Sequence, residues 1–103
     1  MKFSIIIPTF NEKNNISLLV SKIRSSLKKY KYEIIIVDDS STDGSENILL
    51  KLNKKHKNVK IIFRKNKTRD LSRSCRDGFE ISRFVNLIVM DGDLQHNPKY
   101  IPK

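Results

Sequence analysis

Apolar residues along this chain follow two rhythms, short unbroken runs rich in β-branched residues and longer stretches where apolar positions recur every three or four residues. Phe3 to Pro8 is a run of the first kind, closed by proline, and predicts a strand buried on both faces. Ile16, Leu19, Val20, Ile23, Leu27 and Tyr30 form one stripe of an amphipathic helix that starts near Lys13, with Asn11 as a cap. Glu33 to Val37 predicts a second strand, which opens onto the polar segment Asp38 to Ser45. Asp43 followed by Glu46 three residues later has the spacing of a cap with a reciprocal carboxylate, and Ile48, Leu49 and Leu52 mark the buried face of the helix it opens. Val59 to Phe63 is a third strand. Residues 69–82 read as a third helix with Leu71, Cys75, Phe79 and Ser82 inward and Gly78 interrupting it, and Val85 to Met90 is a fourth, nearly continuous apolar strand.

Strands alternating with helices imply right-handed crossovers and a doubly wound α/β fold, a mainly parallel sheet with helices on both faces. Such sheets bind ligands at the carboxyl ends of their strands. The three polar clusters, Thr9 to Glu12, Asp38 to Asp43 and Asp91 to His96, each come directly after a strand, so the fold collects them at one edge. At 103 residues there is room for one domain, and the chain shows no repeat, low-complexity tract or linker.

Composition narrows the class. With 38% hydrophobic and 31% charged residues the chain suits a globular domain, and no apolar run approaches the ~20 residues of a membrane-spanning helix. The opening residues are cut off by Pro8 and Asn11 well short of a secretory signal, which predicts cytosolic synthesis. A single cysteine, Cys75, excludes an internal disulfide and a multi-cysteine zinc site. The net charge of +10 points to anionic partners or to a lysine-rich solvated surface, and by itself does not choose between them.

Asp91-Gly92-Asp93 sets two carboxylates one residue apart, with glycine allowing close backbone approach, a pattern suited to one hard cation, Mg²⁺ or Mn²⁺, though an acidic triplet alone more often only solvates a turn. Such a metal, shared with a diphosphate, neutralises charge on a leaving phosphate. Gln95 and His96 offer a further oxygen or nitrogen ligand, His96 being equally readable as an exposed loop residue. Carboxylates at Asp38 and Asp39 can accept the imide hydrogen of uracil or the N1 and amino hydrogens of guanine, or serve as turn and capping groups.

Ile5-Ile6-Ile7-Pro8-Thr9-Phe10-Asn11-Glu12, Ile36-Val37-Asp38-Asp39-Ser40-Ser41-Thr42-Asp43-Gly44 and Val89-Met90-Asp91-Gly92-Asp93-Leu94-Gln95-His96-Asn97-Pro98 resemble, in type, order and spacing, the family 2 glycosyltransferases of GT-A fold. Together with Leu71-Ser72 and Gly78-Phe79, the last motif is most similar to members that load a hexose onto polyprenyl phosphates such as dolichol phosphate. The resemblance implies that Pro8, Thr9, Glu12, Asp38 and Asp39 line the nucleotide pocket and that Asp91, Asp93 and Gln95 hold the cation, with Asp91 and Asp93 carrying the catalytic electrostatics. It implies inverting transfer of mannose or glucose from a GDP- or UDP-linked donor to a polyprenyl phosphate at the cytoplasmic face of a membrane. Arg69 and Arg73 fall in the segment that runs under the nucleotide in the family, as phosphate contacts or as surface residues.

Asp70 departs from the glycine more common before Leu-Ser in the family, and Gly92 from alanine. Family members continue well past the Asp-x-Asp loop, so residues 1–103 correspond to the donor-binding part, and an inactive nucleotide-binding fragment or one part of a split enzyme is the alternative. A nucleic-acid-binding module rests on charge alone, without interleaved aromatics or Gly-rich RNA motifs, and no nucleic-acid partner is expected. The first turn lacks the Gly-x-Gly-x-x-Gly of a dinucleotide-binding dehydrogenase, and the paired aspartates come after strand two rather than strand one as in a receiver domain.

Overall fold

Ile5, Ile6 and Ile7 are completely buried, which requires that the strand holding them be hydrogen-bonded on both sides and covered on both faces. In the computed structural model that strand is β1 (Lys2–Thr9), followed by α1 (Ile16–Ser26), β2 (Lys31–Asp39), α2 (Ser45–Lys55), β3 (Val59–Arg64), α3 (Leu71–Ile81) and β4 (Asn86–Val89). The structure describes residues 2–11, 14–39, 42–64, 71–84 and 86–90, and for residue 39 and residues 71–75 it describes the backbone alone. The sheet is parallel throughout, in the order β3-β2-β1-β4.

Alternation along β1 divides the core. Ile5 and Ile7 join Ile34 and Ile36 of β2 beneath α1 and α2, where Leu19, Ile23 and Leu49 complete a cluster that Met90 closes. Ile6, Ile35 and Val37 point to the opposite face, which α3 covers over β1 and β2. Full burial of each such side chain contributes about 1.5–3 kcal/mol. Gly78 makes this second layer possible, because a Cβ on it would stand 2.5 Å from Ile6 Cγ2 and 3.4 Å from Val37 Cγ2. The residue that interrupts the helical pattern is thus the one that lets α3 reach the sheet.

Several sequence expectations change here. α1 begins at Ile16, not near Lys13, and ends at Ser26, so Tyr30 leaves the stripe and instead meets the Phe3 ring edge-on at 5.6 Å. Phe79 is 40% exposed rather than inward, since Gly78 occupies the face toward the sheet and the next residue is turned about 100° away. Ser82 ends α3, its hydroxyl donating to the Phe79 carbonyl at 2.7 Å. Leu71 and Cys75 have side chains outside the described set. Among the described residues β4 is an edge strand, and Leu87 and Val89 are 42% and 41% exposed because α3 packs over β1 and β2 instead.

At the amino edge of the sheet a buried carboxylate holds the entry to β4. Glu33 accepts from the Ser4 hydroxyl at 2.6 Å and from the Arg83 amide, and pairs with Lys60 Nζ at 2.8 Å. The Phe84 amide donates to Ser4 Oγ at 3.1 Å. Burial pushes the Glu33 carboxyl up, but the Arg83 amide, Lys60 and Ser4 together outweigh it and hold it below the ordinary 4.5.

Two outcomes are expected for stability. Gly78→Ala should lose about 1–3 kcal/mol in urea denaturation through overpacking against Ile6. Because folding favours ionised Glu33, its contribution is complete above the unfolded-state value and disappears as pH falls through the lower folded-state value. Urea titrations of wild type and Glu33→Gln should therefore differ most above the ordinary glutamate value of 4.5 and converge as pH falls below it.

Candidate functional site at the carboxyl edge

The strand order places a topological switch between β1 and β4, since the chain winds from β1 through β2 to β3 on one side and returns to β4 on the other. Proline shapes this point. The Met90 amide donates to the Ile6 carbonyl at 2.9 Å, so even-numbered peptides of β1 face β4. Pro8 is the next residue facing that way, and it has no N–H to extend the ladder. The described β1–β4 pairing ends at Ile6–Val89, while β1 continues against β2 as far as Thr9–Asp38.

Beside this break Thr9 and Asp38 meet across neighbouring strands, Thr9 Oγ1 donating to Asp38 Oδ1 at 3.2 Å. They are 5% and 4% exposed, and both lie on the face shared with Ile5, Ile7, Ile34 and Ile36. A hydroxyl bonded to a buried carboxylate fixes the direction in which that carboxylate accepts. Asp38 and Asp39 belong to β2, paired in register with Phe63 and Arg64, rather than to the loop after it. The extension arises from hydrogen-bonding partners on both sides, which override the poor strand propensity of aspartate.

The loops after β1 and β2 are tied together. Asn11, at φ 54°, accepts from the Thr42 amide at 2.7 Å and from the Thr42 hydroxyl at 3.4 Å. Asn11 is therefore a bridge between loops instead of a cap on α1. Asp43 Oδ1 takes the Ser45 amide at 3.1 Å and the Ser45 hydroxyl at 2.7 Å, reaching over left-handed Gly44. The predicted reciprocal pair with Glu46 is replaced by this shorter contact, and Glu46 stands exposed in the first turn. On the other face Arg64, 8% exposed, binds Asp77 of α3 through Nε at 3.0 Å.

Pro8, Thr9 and Asp38 thus assemble at one edge, with the backbone of Asp39 beside them. Glu12, Asp91, Asp93, Gln95, His96 and Arg69 lie outside the described residues, as do the side chains of Asp39 and Arg73. Among the described residues no cluster of three or more His, Cys, Asp or Glu is placed to hold a metal. Met90, the last described residue, is 2% exposed and directly precedes Asp91 in the chain. The Asn11–Thr42 and Arg64–Asp77 contacts were missed by sequence reasoning, and only an asparagine in a post-strand turn, a residue tolerant of positive φ, signalled the first.

A four-stranded parallel sheet with a switch point between β1 and β4 defines an α/β fold of the GT-A glycosyltransferase class. The chain belongs to glycosyl transferase family 2, which matches residues 4–103. It is 43% identical over 103 residues to the dolichol-phosphate mannosyltransferase of Pyrococcus furiosus, and 38% identical over 106 positions to that of Saccharomyces cerevisiae. Both matches cover 100% of this chain but only 29% and 39% of the relatives. In fold it is similar to the mannosyltransferase PcManGT from Pyrobaculum calidifontis in complex with GDP-Man and Mn²⁺, with a TM-score of 0.76 and 20% identity over 88% of this chain and 27% of that one. S. aureus TarS 1-349 in complex with UDP superposes with a TM-score of 0.73 and 26% identity, over 90% of this chain and 28% of that one.

The loop bridge is open to a direct check. Asn11→Ala removes the acceptor for Thr42 and puts a residue that tolerates positive φ less well than asparagine at φ 54°, and is expected to cost about 1–2 kcal/mol in urea denaturation. Asn11→Gly, which loses the acceptor alone, should cost less.

Proposed function

We propose that this chain is the donor-binding part of a metal-dependent, inverting glycosyltransferase that moves a hexosyl group from a nucleotide diphosphate sugar to a polyprenyl phosphate. The observation that carries the reading is the Thr9–Asp38 pair, buried at the carboxyl edge beside the β1–β4 switch point. Asp38, oriented by Thr9, accepts hydrogen bonds from the donor's base, with Asp39 and Glu12 completing the pocket and Pro8 shaping its floor. Both dolichol-phosphate mannosyltransferase relatives and the GDP-Man complex of a fold neighbour favour a mannosyl donor.

Asp91, Asp93 and Gln95 supply oxygen donors, a set that fits a hard divalent cation, and a fold neighbour binds Mn²⁺. When bound there, such a cation neutralises charge developing on the leaving diphosphate. The acceptor phosphate is already ionised, so its oxygen forms the new bond to the anomeric carbon as the bond to the diphosphate breaks, with little demand for a general base. The acceptor is a lipid, so the working protein acts at the cytoplasmic face of a membrane.

Calorimetric titration with GDP-mannose and UDP-glucose, with and without Mn²⁺, tests the reading. Wild-type chain should bind one of them more tightly with Mn²⁺, and Asp93→Ala should abolish that gain while leaving metal-free binding in place. Equal affinity of Asp93→Ala and wild type in Mn²⁺ would remove the metal role from this residue. Turnover with a polyprenyl phosphate separates a complete transferase from a binding fragment.

A further inference from the structure

The net charge is unevenly distributed over the two faces of the sheet. Residues 16–30 and 45–58, which comprise α1, α2 and their exit turns, hold eight Lys and Arg against Glu46 alone, a net +7 of the chain's +10. Residues 71–84, on the opposite face, hold three Arg against Asp77 and Glu80, a net +1. Placing the cations near the helix carboxyl ends accounts for Arg24, Lys54 and Lys55, which complement the helix dipoles, but not for the remaining five.

The outward stripe of each helix pairs an exposed leucine with an exposed lysine one turn later. Leu18 is 50% exposed and precedes Lys22 by four residues; Leu50 is 48% exposed and precedes Lys54 by four. Between the helices runs an open groove of about 580 Å³, with Ile48 and Leu52 in its wall and Arg24, Lys51, Lys55 and His56 along it, and no carboxylate among the described residues that line it. His56 is held below the usual imidazole value, by burial first and then by Arg24 and Lys55, in keeping with a positive potential at this end.

We propose that the outer face of the α1–α2 layer docks on an anionic lipid bilayer, with headgroup phosphates against the lysines and the groove, and Leu18 and Leu50 entering the interface. Charge complementarity selects an anionic surface. The leucines fit a bilayer better than a polynucleotide, which would call for aromatic stacking platforms that these stripes lack. This deepens the membrane association proposed above, and it needs neither nucleotide nor metal, so the two readings fail separately.

The test is co-sedimentation of the full 103-residue chain with phosphatidylcholine vesicles, with and without about 30% phosphatidylserine, at low salt and at about 0.15 M salt. Binding is expected to the anionic vesicles only and to weaken with salt. Each cation at such a surface is worth about 1 kcal/mol, so Lys51→Glu/Lys54→Glu should reduce partitioning at least tenfold. Leu18→Ser/Leu50→Ser should reduce it severalfold, and Arg76→Glu/Arg83→Glu on the far face should change it far less. Circular dichroism confirms that each variant is folded. Equal loss in the two charge-reversed variants, absence of binding to anionic vesicles, or binding to a single-stranded oligonucleotide without binding to vesicles would overturn the proposal.

Discussion

Everything in this molecule hangs on β1 having no solvent-facing side. It is paired with β2 and β4 along its edges, and its isoleucines are sealed by α1 on one face and by α3 on the other. A parallel strand in this position leaves its carboxyl end as the place where the backbone can meet a ligand, because helices cover both faces and neighbouring strands hold both edges. Pro8, Thr9 and Asp38 therefore gather at the carboxyl rim because of the way the apolar surface is buried.

The two rims of the sheet are built differently. At the amino rim Glu33, Ser4 and Lys60 form a closed polar cluster that fixes the start of β4, so the edge strand is anchored where it enters. At the carboxyl rim Pro8 withholds a donor on the β4 side, and the Thr9–Asp38 bond links the two strands on the other. One end is held by side-chain hydrogen bonds and an ion pair, and at the other the described β1–β4 ladder stops at Ile6–Val89 while β1 continues against β2.

Charge obeys a separate logic from packing. The layer of α1 and α2 uses its inner stripes for the larger apolar cluster and, together with its exit turns, carries a net +7 of the chain's +10, whereas α3 is nearly neutral and ties to the sheet through Arg64–Asp77 and the close approach at Gly78. Among the described residues the sheet thus separates a cationic helical layer from a nearly neutral one.

By itself the sequence determined the order of elements, the parallel sheet, the residues of the main core and the rim at which Pro8, Thr9 and Asp38 assemble, because each is written in local periodicity and in the polar residues that end each strand. Three ordered motifs also determined the family. Only the tertiary structure decided that Gly78 and not Phe79 faces the sheet, that Asn11 bridges two loops instead of capping α1, that Asp38 and Asp39 remain in β2, and that β4 is a half-exposed edge. Each of these depends on a partner distant in sequence: the Ile6 and Val37 side chains within reach of a missing Cβ, a loop 31 residues away, a neighbouring strand, or the packing of α3 over β1 and β2. Periodicity records how a residue sits relative to its own element, and holds no information on which other element will arrive beside it.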